Sequence, residues 1–138
     1  MQSKLNPYIS FEGNAREAME FYKSVFGGEL VLSTFGESGV TDHGVKPDQI
    51  MHAQLTADNG ITLMASDTAT GFRKYVAGTN MSISLSGDNQ EELTRYYNLL
   101  ADGGKIEQPL TKAPWGDTFG MCIDKFGTFW MVNIAAKK

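Results

Sequence analysis

Ile9-Ser10-Phe11-Glu12-Gly13-Asn14, near the start of the chain, returns as Ile83-Ser84-Leu85-Ser86-Gly87-Asp88, displaced by 74 residues. At the same displacement Glu17 falls on Glu91 and Tyr22 on Tyr96, and the glycine pairs Gly27-Gly28 and Gly103-Gly104 close the two copies. An internal repeat of this length marks a duplicated supersecondary unit. Its content decides the fold.

Each copy reads as a strand, a turn and a helix. In the first, Asn14 is a natural N-cap with Glu17 three residues on, a capping-box-like start. Ala18, Phe21, Tyr22 and Val25 then keep the spacing of one buried helical stripe, and Gly27 suits the left-handed residue that ends a helix. In the second, Asp88 or Asn89 caps, Leu93, Tyr96, Tyr97 and Leu100 form the stripe, and Gly103 stops it. Three strands are expected after each helix. In copy one these are Glu29–Thr34, Met51–Ala57 and Ile61–Ala65, the last two flanking the hairpin signal Asp58-Asn59-Gly60. In copy two they are a weaker Lys105–Pro109, then Thr118–Ile123 and Thr128–Ile134 around Asp124-Lys125-Phe126-Gly127, with 110–116 as a loop. The reading is α+β: one domain over 1–138, with a βαβββ module at about 5–67, a linker at 68–78 and a second module at about 79–135. A sheet with one helix covers only one of its faces, so the two curved mixed sheets are expected to enclose a cavity.

Bulk properties narrow the function. The 138 residues suffice for a real core, and 41% hydrophobic with 20% charged residues is a globular balance. The net charge of −4, with basic residues scattered, argues against nucleic-acid binding, which needs clustered Lys and Arg. One cysteine, Cys122, allows neither an intramolecular disulfide nor a thiolate cluster and reads as a buried thiol. No apolar run approaches a bilayer span and Met1 to Tyr8 lacks a signal-peptide core, so a cytoplasmic protein without membrane partners is expected.

Two stretches carry a resemblance. Pro7-Tyr8-Ile9-Ser10-Phe11-Glu12-Gly13-Asn14-Ala15-Arg16-Glu17-Ala18-Met19-Glu20-Phe21-Tyr22 is one, and Trp115-Gly116-Asp117-Thr118-Phe119-Gly120 with Asp124-Lys125-Phe126-Gly127-Thr128-Phe129-Trp130-Met131-Val132-Asn133 the other. They resemble the opening and the close of the PhnB-like branch of the vicinal-oxygen-chelate (glyoxalase/bleomycin resistance/dioxygenase) superfamily. The resemblance runs over nearly the whole chain and implies that superfamily's paired βαβββ fold. It does not fix chemistry, because the superfamily includes lyases, isomerases, dioxygenases and antibiotic-sequestering proteins. Members of the branch also carry a ubiquinone-pathway methyltransferase label, yet no glycine-rich nucleotide loop follows a strand here.

In the metal-using relatives, the resemblance implies a His or Glu ligand on the first and last strand of each module. The corresponding positions here are Pro7, Met64, Met81 (within one residue, so Asn80 or Ser82) and Met131. Proline has no side-chain donor and a thioether is a soft, neutral ligand, so no hard divalent metal and no cofactor are expected. Cu(I) would suit methionines in principle, but methionine as pocket lining is the better reading.

Setting those positions inward gives a pocket list by strand alternation. Pro7, Ile9 and Phe11 would face in from the first strand, Thr62, Met64 and Ser66 from the fourth, and Phe129, Met131 and Asn133 from the last. On the third strand Met51, Ala53 and Leu55 oppose a polar face of His52, Gln54 and Thr56. The expected ligand-binding residues are thus Phe11, His52, Gln54, Met64, Trp115, Phe129 and Met131. His52 is the candidate catalytic residue, as general base or as donor to a ligand carbonyl. A structural histidine tied to a neighbouring strand is the favoured reading of His52, since no partner acid is evident, and His43 reads as a loop residue. Asp117 beside Trp115 suggests a pocket rim, whereas Asp67 and Asp124 read as turn residues. Three functions remain open: a metal-free small-molecule binder, an enzyme of the same superfamily using a displaced metal or His52, and a structural protein with a filled pocket. A homodimer is expected, since sheet edges and apolar surface favour twofold pairing.

Overall fold

The chain is described by a computed structural model covering residues 3–41, 44–69, 71 and 74–136. The element order is β1 (Tyr8–Phe11), α1 (Ala15–Phe26), β2 (Glu29–Thr34), β3 (Ile50–Thr56), β4 (Thr62–Asp67), β5 (Ile83–Gly87), α2 (Gln90–Ala101), β6 (Lys105–Lys112), β7 (Thr118–Ile123) and β8 (Phe129–Ile134). These fall into two compact units, Met1–Val76 and Ala77–Lys138, and the division lies inside the 68–78 stretch. Each unit is βαβββ. Their sheets run β1-β4-β3-β2 and β5-β8-β7-β6, with β1·β4 and β5·β8 parallel and the other pairs antiparallel. Two four-stranded mixed sheets, each backed by one helix, are the fold class expected from the repeat.

In the first unit α1 buries Ala15, Ala18, Met19, Tyr22, Val25 and Phe26. The stripe is rotated from the expected one: Met19 and Phe26 turn in while Phe21 sits half-buried at its margin. It packs on Phe11, Ile50, Ala53, Leu55, Leu63 and Ala65, the helix-side residues of the sheet. Asn14 stands at the N-cap without a side-chain cap bond. The expected capping box is replaced by Asp67, whose buried carboxylate accepts from the Ala15 N–H at 3.0 Å and the Ile50 N–H at 2.8 Å. Asp67 is therefore the last residue of β4 and the anchor of α1, rather than a turn residue. A carboxylate beside a helix N-terminus satisfies an orphan donor and complements the helix dipole.

In the second unit α2 buries the expected Leu93, Tyr96, Tyr97 and Leu100, and Asn89 is the cap, its side chain accepting from the Glu92 N–H at 3.0 Å. Cys122, Trp130, Val132 and Ile134 complete that core. Strand β6 continues to Lys112, so the expected loop shrinks to the turn at 113–117. Pro109 is tolerated because β6 is an edge strand with register shifts on either side of Gln108. The Tyr97 hydroxyl donates to the Gln108 carbonyl at 2.7 Å and pins that irregular stretch. Among the described residues no helix is long and apolar enough to cross a membrane.

Candidate functional site

Each sheet has one face under its helix and one open face, and pairing register decides which residues share it. In the first unit Tyr8 pairs with Met64 and Ser10 with Ser66, while Ile9 and Phe11 pair with Ala65 and Asp67 on the helix side. Phe11 is only 2% exposed and belongs to the core. This corrects the expected phase of the first strand: Tyr8 and Ser10, not Pro7, Ile9 and Phe11, share the open face with Met64. Ser10, set between Ile9 and Phe11, is the local signal for that phase, because polar residues belong on the open face.

On β3 the open face carries His52, Gln54 and Thr56, opposite Ser33, Val31 and Glu29 of β2. A bulge between Ser33 and Thr34 lets Ile50 take the buried place expected for Met51. A cavity of about 280 Å³ lies over this β2·β3 pair, lined by Glu29, Val31, His52, Gln54 and Thr56. His52 is held by Tyr8, with the phenolic oxygen 3.1 Å from Nδ1 and the two rings 5.7 Å apart. Tyr8 is itself 50% exposed. One imidazole nitrogen is thereby committed, which leaves Nε2 as the atom for a ligand. The Gln54 side-chain amide donates to Thr56 Oγ1 at 3.4 Å, so its Oε1 remains an acceptor. Glu29 and Val31 line this cavity and Tyr8 adjoins His52, and the sequence reading selected none of the three. His43 lies outside the described residues.

The open face of the second unit mixes apolar and polar side chains, with Ser84 and Ser86 of β5 beside Met131 and Asn133 of β8. Met131 pairs with Met121, Phe129 with Ile123 and Asn133 with Phe119. Trp115 is 61% exposed, yet its position is fixed. Its indole N–H donates to Asn133 Oδ1 at 3.3 Å, and Asn133 Nδ2 donates to Asp117 Oδ2 at 2.9 Å. The other Asp117 oxygen accepts from the Ala136 N–H at 3.0 Å, and the Trp115 ring meets Phe119 edge-on at 5.6 Å. The Asn133 amide, then the Ala136 N–H, hold the Asp117 carboxyl below its ordinary range. Asp124 is a buried hairpin residue that accepts from the Phe126 and Thr128 N–H groups and from the Trp130 indole. Burial, with Asp124 and Glu107 nearby, pushes the Cys122 thiol up to about 11, so it is no ready nucleophile.

The inherited metal positions can now be tested by residue type. Tyr8 stands beside Met64, and Ser84 rather than Met81 stands beside Met131. Met81 precedes β5 and is 79% exposed. A phenol, a hydroxyl and two thioethers are a poor donor set for a hard divalent ion. Among the described residues no group of three or more His, Cys, Asp and Glu is placed to hold a metal.

Two βαβββ units with mixed four-stranded sheets define a protein of the vicinal-oxygen-chelate (glyoxalase/bleomycin resistance/dioxygenase) fold. A family enzyme of that description from Burkholderia phytofirmans PsJN shares the fold at 11% identity and a TM-score of 0.62, over 92% of this chain and 95% of that one. Within this class the chain belongs to the family described as 3-demethylubiquinone-9 3-methyltransferase, whose model matches residues 3–133. Protein YjdN of Escherichia coli K12 is 30% identical over 97% of both chains. The crystal structure of PA1353 from Pseudomonas aeruginosa is 38% identical with a TM-score of 0.86, covering 99% of this chain and 100% of that one. The PhnB protein of Bacillus cereus is 32% identical with a TM-score of 0.77, over 96% and 100%.

Proposed function

We propose that this chain is a small-molecule-binding protein of the PhnB-like type, working without a metal at the inherited positions. The observation that carries the reading is the pinned His52 at the wall of the 280 Å³ cavity. A concave surface with a few oriented polar groups is how small-molecule sites are built. The open face of the second unit supports the reading separately, since its methionines and rings suit hydrocarbon and its Trp115 is tethered rather than free. Methyl transfer is not proposed: β1 leads into α1 through Glu12-Gly13-Asn14, which is no glycine-rich nucleotide loop. The Tyr8 contact also favours a second reading, in which His52 acts as acid or base through Nε2 on a bound substrate.

A thermal-shift series against a metabolite library, with and without Mn²⁺ or Zn²⁺, tests the proposal. The unsubstituted protein is expected to be stabilised by at least one compound, with the shift reduced in His52→Ala, Trp115→Ala or Met131→Glu. Elemental analysis of protein prepared without a metal-affinity tag should find no stoichiometric divalent metal. Ligand shifts that survive all three substitutions, or a metal bound beside Met64 or Met131, would overturn it. Turnover of a stabilising compound, lost in His52→Ala while binding persists, would select the second reading.

A further inference from the structure

The cavity over β2·β3 has a chemical bias of its own. Of the strand residues on the open face of the first sheet, Glu29 is the one that carries a fixed charge, and neither lysine nor arginine occurs there. Among the described residues no cation pairs with the Glu29 carboxylate. Gln54 turns its amide N–H toward Thr56, the partner of Glu29, which leaves Gln54 Oε1 as an acceptor further along the same lining. Val31, 55% exposed and opposite Gln54, supplies an apolar contact between them. An anion placed here would meet a carboxylate and a carbonyl with no compensating charge. A protonated amine would find a charge-assisted partner and a second acceptor, which is the stronger kind of hydrogen bonding.

We infer that this cavity selects ligands bearing a primary amine or similar cationic donor, with the ammonium at Glu29 and a polar group toward Gln54 and His52. Four residues of strand separate the level of Glu29·Thr56 from that of Ser33·His52, a span of about 13 Å at ~3.3 Å per residue. An elongated amine with its second hydrogen-bonding group at the far end fits that span. The inference rests on the open face of the first sheet being a ligand seat, and it adds the charge class.

The test uses the ¹⁵N-labelled full chain titrated with three probes of matched shape: benzylamine, benzyl alcohol and benzoate. Benzylamine, which spans only the Glu29 end of the cavity, is expected to shift the backbone amides of residues 29, 31, 54 and 56, and benzoate to leave them unmoved. Glu29→Gln, which keeps the shape of an exposed side chain, should weaken benzylamine by about fivefold or more, roughly 1 kcal/mol. Glu20→Gln, on the exposed side of α1, should not weaken it. Equal loss in both variants, benzoate binding at the same amides, or no shift there with any probe at ~10 mM, a range that detects mM affinities, would overturn the inference. A metabolite that stabilises the protein through Trp115 or Met131 and carries no amine would remove this inference and leave the binding function standing. A library without a single stabilising compound would remove the function instead.

Discussion

Asp67, Asp117 and Asp124 have the same side chain and three different tasks, set by what each carboxylate accepts. Asp67 ties the end of β4 to the first turn of α1 and the start of β3, through the backbone N–H groups of Ala15 and Ile50. Asp67→Asn should cost about 2 kcal/mol, since one oxygen becomes an amide facing a backbone N–H. Urea denaturation checks this, and an unchanged midpoint would mean the anchor is dispensable. Asp117 fixes Asn133 and, through it, Trp115. Its folded pKa lies below the ordinary carboxylate value, so its contribution is fully present above that value and is lost as the pH falls through the folded one. The Trp115 tether should therefore persist from neutral pH through mild acid and release below that range. Tryptophan emission followed from pH 7 downward should show a transition that Asp117→Asn flattens. An identical transition in that variant would assign it to another group. A sequence shows that an aspartate is present. It does not show that Asp67 reaches back to Ala15, 52 residues away.

The repeated glycine pairs show how far a motif is readable at the level of elements. In each pair the first glycine has positive φ, 74° at Gly27 and 79° at Gly103. The second lies against the end of the neighbouring hairpin strand: a Cβ on Gly28 would overlap the Thr56 carbonyl, and one on Gly104 the Ile123 carbonyl. The helix-ending role was legible from position alone, whereas the close approach was not, because it depends on where β3 and β7 end. The two roles predict different costs. Gly27→Ala should lose about 1–3 kcal/mol for its positive-φ, extended backbone (φ 74°, ψ −164°), with open space around its side chain. Gly28→Ala and Gly104→Ala should lose about 3 kcal/mol or more, because rigid backbone must move. Thermal melts of the three variants decide it, and equal losses would count against the distinction. The phase of β1 was harder to read. A four-residue strand gives alternation little length, and its pairing to β4 is what puts Phe11 inside.

Across the whole chain, the fold was legible because duplication writes the same alternation, turn and stripe twice, and each copy checks the other. The site was legible only in part. The shared face of His52, Gln54 and Met64 was readable because β3 and β4 are long enough to show their alternation, and Phe129 and Met131 share one face of the second sheet in the same way. Tyr8 and Glu29 were missed because each meets the site across a strand pairing, Tyr8 at 44 residues from His52. Assembly is the remaining property of the whole molecule. The terminal strands of the two sheets are β1, β2, β5 and β6, and Val31 of β2 and Ile106 of β6 are among the exposed apolar residues. Edge strands with apolar side chains favour pairing with another chain, and closed twofold symmetry is the commonest way to satisfy them. Proline at 109 and lysine at both ends of β6 oppose open-ended pairing along that strand, which favours a closed pair over a fibre. The chain is accordingly expected to sediment at twice its own mass at micromolar concentration. Ile106→Lys or Val31→Lys should shift it toward the monomer if the corresponding edge is used. A monomer in the unsubstituted protein would count against the dimer, and a dimer indifferent to both substitutions would place the interface away from these edges.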